Sequence, residues 1–154
     1  MTSMLTAEPK IGLFIDRDSH TIRLIRDFAA PRAQVFEAWT DPDQVTVWWD
    51  PTGEPLASCE IDLKPGGAFR FVNTGHSDMA FAGTYVEIAP PDRLVFEAMG
   101  ATGRVMLEGS AEDTRMVVEI ACRSADHLEQ FLKVGVATDT ARTLDNLVVF
   151  VHRA

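Results

Sequence analysis

One apolar stripe near the C-terminus sets the terms for everything before it. From Ser124 onward, Leu128, Phe131, Leu132, Val136, Leu144, Leu147, Val148 and Val151 recur at spacings of three and four, the spacing of one face of an α-helix. Ser124 is a suitable N-cap, and Asp126 puts an acid in the first turn, where the helix dipole favours it. The spacing predicts one long helix running to about Val151. A single helix cannot bury such a stripe against itself, so a second layer must supply the facing apolar surface.

The preceding residues read as that layer. Thr21–Phe28 alternates, with Ile22, Leu24 and Arg26 on one face and Arg23, Ile25 and Asp27 on the other. Further short strands are predicted over Cys59–Leu63, Ala68–Asn73, Met79–Ile88, Arg93–Met99, Arg104–Glu108 and Thr114–Arg123. They are separated by turn-forming clusters: Lys64–Gly67, Thr74–Asp78, Ala89–Asp92, Gly100–Gly103 and Gly109–Asp113. The predicted class is α+β: a curved antiparallel sheet of about six to seven strands wrapped around the long C-terminal helix. Residues 1–20 are expected to be an N-terminal extension, partly ordered through the apolar run Ile11–Ile15, and residues 21–154 a single domain.

Between the first predicted strand and the meander the pattern changes. Pro31 opens a helix, where its missing N–H costs nothing, and Val35, Phe36, Ala38 and Trp39 give that helix an apolar face. Asp41-Pro42 stops it, and a second short helical turn carries Val45, Trp48 and Trp49 before Pro51 and Gly53 break the chain again. Two short helices therefore follow the first strand, and all three tryptophans fall on them.

These segments resemble a known family. The stretch APRAQVFEAWTDPDQVTVWWDP is similar to the pattern AP-x-x-x-V-(F/W)-x-A-W-T-(D/E)-P-x-x-(L/V)-x-x-W-W-x-P, DLKPGGAFRF to D-(L/F)-R-P-G-G-x-(F/W)-x-F, and GTYVEIAPPDRLVFE to G-x-Y-x-E-I-x-P-P-x-R-(L/I)-V-(F/Y). Together they resemble the bacterial activator-of-Hsp90-ATPase-like group within the START/Bet v 1-type (SRPBCC) superfamily, with matches in order from about Arg26 to Val151. The resemblance implies a helix-grip fold with a cavity between sheet and long helix. Its functional reach is broad, because the superfamily holds lipid carriers, cyclases and co-chaperone domains. One departure is visible: many relatives carry Gly-Trp in the long helix, where this chain has Thr138-Asp139. Losing a large ring there should enlarge the cavity or open it to water, with Asp139 placing a charge at its mouth.

A formal charge of −9 argues against nucleic acid or an anionic membrane surface as partner. The sequence has no apolar run long enough to span a bilayer and no signal-peptide pattern at its start. Cys59 and Cys122 fall inside predicted strands and read as reduced, buried thiols of a cytoplasmic protein. His20, His76, His127 and His152 lack metal-ligand spacing, so neither metal nor cofactor is expected.

Two constellations remain. Glu97, Glu108 and Glu119 lie on successive strands and would form an acid cluster only if they pointed inward; alternation instead puts them outside, with Leu94, Phe96, Val105, Leu107, Val118 and Ile120 facing the helix. Arg26, Arg70 and Arg104 would then pair with them on the outer face. The aromatic residues Trp39, Trp48, Trp49, Phe69, Phe71, Phe81, Tyr85 and Phe96, together with Leu132, Val136 and Asp139 from the C-terminal helix, are the expected ligand-binding set. Of Trp48 and Trp49, helical geometry directs one ring to the core and the other to the cavity rim. The leading expectation is a binding domain for a small apolar or amphipathic ligand. The alternatives are a module that binds a chaperone or a second copy of itself, and a cyclase- or hydrolase-type enzyme using an inward carboxylate, His76 or Tyr85.

Overall fold

A computed structural model describes residues 11–75 and 80–153 of the chain. Twelve elements follow one another: β1 (Gly12–Asp16), β2 (Thr21–Phe28), α1 (Arg32–Thr40), α2 (Pro42–Trp48), β3 (Leu56–Ile61), β4 (Ala68–Asn73), β5 (Ala80–Ala89), β6 (Arg93–Ala98), β7 (Ala101–Gly109), β8 (Thr114–Ala121), α3 (Ala125–Lys133) and α4 (Val136–Arg153). The strands form a single antiparallel sheet ordered β1-β2-β8-β7-β6-β5-β4-β3. Only the β2–β8 neighbours are distant in sequence. The helices α1 and α2 carry the chain from β2 to the far edge of the sheet, and the meander β3 to β8 brings it back. Among the described residues no helix is long and apolar enough to cross a membrane.

The register aligns the apolar faces of the strands. Ile22 lies opposite Ile120, Leu24 opposite Val118, and Val118 opposite Val105, which in turn faces Leu94 on β6. These residues share one core with Leu128 and Phe131 of α3 and with Leu144, Leu147 and Val151 of α4. Helix–sheet packing thus buries the C-terminal stripe, as its spacing requires.

The structure corrects the sequence reading in four respects. The sheet has eight strands among the described residues rather than six or seven, because Gly12–Asp16 pairs with β2 at the sheet edge. The two short helices accordingly follow the second strand. The strand after Met99 begins at Ala101, not Arg104, because Met99 and Gly100 alone make the turn, at φ 54° and 77°, the two positive angles of a tight hairpin. The long helix is interrupted. Helix α3 ends at Lys133, and Gly135 adopts φ 86°, the left-handed conformation with which glycine commonly closes a helix. Val134, at that break, is 70% exposed.

Arg26 is a fifth departure. It stands with Ile22 and Leu24 on the inner face, only 9% exposed, and does not reach the outer glutamates. Its Nε donates to Asp145 of α4 at 2.9 Å, and its remaining nitrogens donate to the carbonyls of Ile25, Gly12 and Ala141. A single guanidinium thereby ties β1 and α4 to β2.

Candidate functional site

The sequence D-P-x-x-V-x-x-W-W-D-P-T-G sets up the first wall of the site. Asp41 caps α2 by accepting from the Asp43 N–H at 3.0 Å, with Pro42 at the first helical position. Over one turn Val45 and Trp48 face inward. Trp48 is 1% exposed and its Nε1 donates to the Ala38 carbonyl at 3.0 Å, which locks α2 onto α1. Trp49 points elsewhere and stays half-buried. Its ring packs edge-on against Phe71 at 4.9 Å and obliquely on Phe81 at 5.0 Å.

The residues after Trp49 are pinned by a polar knot that sequence reasoning missed. The buried Asp50 carboxylate accepts from the Thr52 N–H and hydroxyl and from Asn73 Nδ2 on β4. Helix α4 reaches the same segment: the Thr143 hydroxyl donates to the Trp49 carbonyl at 2.9 Å and Asn146 Nδ2 to the Asp50 carbonyl at 2.9 Å. The only sequence signal was Asp50-Pro51-Thr52-Gly53, which has the composition of an Asx turn. These bonds hold α2, β4 and α4 at fixed spacing around the Trp49 ring.

Between that wall, the sheet and the two C-terminal helices lies a cavity of about 260 Å³. Trp39, Trp49, Phe81, Phe96, Val136 and Asp139, all expected from the sequence, line it. So do Val118 and Ile120 of β8, Phe131, Thr140, Thr143 and Leu144 of the helices, and Pro51 and Asn73. The space exists because the neighbouring floor is small: Ala98, Ala101 and Gly103 stand where large side chains would fill it. Gly103 has a second duty, since a Cβ there would lie 2.5 Å from the Phe96 ring. Met99 and Val134, 59% and 70% exposed, also line the cavity, from the two turns that border it.

Trp48, Phe69, Phe71, Tyr85 and Leu132 do not line this cavity. Phe69, Phe71 and Tyr85 stack with Phe81 and Phe96 around a void of only about 10 Å³, so this part of the aromatic cluster is filled core. Leu132 is half-buried against the core. Sequence could not separate these rings, because each ring's destination depends on strand register and on which neighbour reaches it first.

At the bordering turn, His127 fixes the position of Met99. Its Nδ1 accepts from the Arg123 N–H at 3.0 Å, so in the neutral ring Nε2 carries the proton and donates to the Met99 carbonyl at 3.2 Å. The imidazole also packs edge-on against Phe131, a cavity residue, at 4.5 Å.

The acid cluster is not in the cavity. Glu97 and Glu108 are exposed, and Glu119 pairs with Arg23 at 2.8 Å and Arg104 at 3.8 Å. Burial pushes the Tyr85 hydroxyl upward and raises Cys59 from 9.0 to about 11. Cys122 is raised by burial too, so neither thiol is poised as a nucleophile. His76 lies outside the described residues. Among the described residues no three or more His, Cys, Asp or Glu side chains are grouped to hold a metal ion.

Comparison with known proteins bears on this arrangement. Residues 29–151 match the model of the family described as "Activator of Hsp90 ATPase homolog 1-like protein". Among solved structures, one from Rhodobacter sphaeroides is similar with a TM-score of 0.80 and 21% identity, over 94% of this chain and 99% of that one. A solution structure from Arthrobacter aurescens gives a TM-score of 0.79 and 19% identity, over 94% and 92%. Both likenesses are of fold alone. CalU16 from Micromonospora echinospora is 26% identical, with a TM-score of 0.63 over 85% of this chain and 75% of that one. No curated protein matches the chain in sequence.

Proposed function

The chain belongs to the Activator of Hsp90 ATPase homolog 1-like family, and we propose that within it this protein binds a small apolar or amphipathic molecule in the cavity beneath α3 and α4. The observation that carries the reading is the cavity itself: about 260 Å³, enclosed largely by aromatic and aliphatic side chains, with a few polar groups from α4 and β4. That is the usual constitution of a small-molecule site. In this reading the sheet curves around the C-terminal helices in the helix-grip manner, residues 21–154 are the binding unit, and residues 1–20 are an extension attached through β1. The unpaired Cys59 and Cys122 suit a reducing, cytoplasmic setting.

The enzyme alternative has less support, because Glu97, Glu108 and Glu119 lie away from the cavity and Tyr85 sits in filled core. The chaperone alternative rests on the family's description without a particular surface to carry it.

Native mass spectrometry of freshly purified protein tests the reading, together with titration by the neutral fluorophore N-phenylnaphthylamine. A retained small mass that denaturation releases, or saturable fluorophore binding at one site, is the expected result. The absence of both a retained mass and saturable binding would overturn it.

A further inference from the structure

Among the described residues, Asp139 is the only ionisable side chain lining the cavity. It is exposed, at the cavity mouth in the first turn of α4. No ion pair or side-chain hydrogen bond engages it among the described residues. The chain around it carries a net charge of −9, so the long-range field also favours cations. The interior beyond it is aromatic, and ring faces attract cations as well as apolar groups.

Resting on the binding reading above, we propose that the preferred ligand class is an amphipathic amine: an apolar, ring-sized body for the cavity with a cationic group held at the mouth by Asp139. An anionic amphiphile would meet the carboxylate head-on. A neutral ligand would gain the apolar contacts only. Thr140 and Thr143 of the same helix also line the cavity and carry hydroxyls that can accept from an ammonium N–H. An acid in the first turn of a helix also offsets the helix dipole, but that role is indifferent to the charge of a ligand, and this difference supplies the test.

Calorimetric titration with three probes of one skeleton reads the preference: naphthylmethylammonium, naphthylmethanol and naphthoate, at low salt and neutral pH. An exposed ion pair together with a cation–π contact predicts that the ammonium binds about 3- to 10-fold more tightly than the alcohol, with naphthoate weakest. Asp139→Asn should reduce the ammonium's advantage over the alcohol by the share of the ion pair, about 2- to 5-fold. Asp139→Glu, which keeps the charge, should retain the preference and guards against a folding artefact. Equal affinity for ammonium and alcohol in the unaltered protein, or an advantage undiminished by Asp139→Asn, overturns this inference and leaves the binding reading standing. Absence of binding by all three probes overturns both.

Discussion

Truncating the two adjacent tryptophans one at a time separates core from cavity. Trp48 is 1% exposed, donates to the Ala38 carbonyl, and meets the Trp39 ring edge-on at 5.0 Å. Trp48→Ala opens a hole in filled core and is expected to cost about 3–5 kcal/mol, a large part of the roughly 5–15 kcal/mol that holds a domain folded. Trp49 is half-buried and already faces empty space. Trp49→Ala lengthens an existing cavity and loses ring contacts to Phe71 and Phe81, for about 1–2 kcal/mol. Urea unfolding followed by circular dichroism gives the comparison. At a slope of about 2 kcal/mol per M, the midpoint should fall by roughly 1.5–2.5 M for Trp48→Ala and by roughly 0.5–1 M for Trp49→Ala. N-phenylnaphthylamine affinity should change for Trp49→Ala, and for Trp48→Ala stay as it is wherever that variant remains folded. Equal midpoint shifts, together with unaltered affinity in Trp49→Ala, would refute the assignment of one ring to the core and one to the cavity.

Other expectations follow from particular contacts. Gly66 has φ 82° with open space around it, whereas a Cβ on Gly67 would lie 2.0 Å from the Asp62 carbonyl oxygen; Gly66→Ala should cost about 1 kcal/mol and Gly67→Ala about 3 kcal/mol, and the reverse order in thermal melts would contradict the turn geometry. Arg26→Met should cost about 1.5–3 kcal/mol through its lost charge-assisted hydrogen bonds, while Asp145→Ala, whose side chain is 68% exposed, should cost below about 1 kcal/mol; equal losses in urea titrations would mean that the ion pair, not the carbonyl contacts, carries the effect. Burial raises Cys59 from 9.0 to about 11, against a weaker lowering by a Thr46 hydrogen bond and with further raising by Asp41, Asp43 and Glu60. A thiol raised in the folded state binds its proton longer there than in the unfolded chain. Its contribution to stability is therefore complete below pH 9 and lost as pH rises from 9 toward about 11. Alkylation of Cys59 in the native protein should accelerate over that same range, and a rate already at plateau by pH 9 would contradict it.

The sequence by itself determined whatever depends on neighbours along the chain. Period-two alternation marked most of the strands, and spacings of three and four marked the C-terminal stripe. Pro31, Asp41-Pro42 and Ser124 placed the starts of α1, α2 and α3, because a helix end needs those residue types locally. The outward direction of Glu97 and Glu108 followed from alternation, and the divergence of Trp48 from Trp49 from the roughly 100° turn per helical residue. Tertiary structure decided what depends on partners far away in sequence. Arg26 alternates onto the inner face, yet only the approach of Asp145 and the Ala141 carbonyl gives a guanidinium there a home. Strand β1 has exposed apolar residues on both faces, Leu13, Phe14 and Ile15 at 37–39%, so periodicity could not announce it; pairing with β2 made it a strand. Gly135 reads as a tolerated residue within a continuous stripe until packing of α3 against the sheet requires the chain to turn there. The cavity is the clearest case. Phe96 and Phe69 are alike in sequence, but one ring lies beside Gly103 and an open floor of alanines while the other is enclosed by four rings. Empty space is a property of what several strands and helices fail to fill together, and no local pattern encodes it.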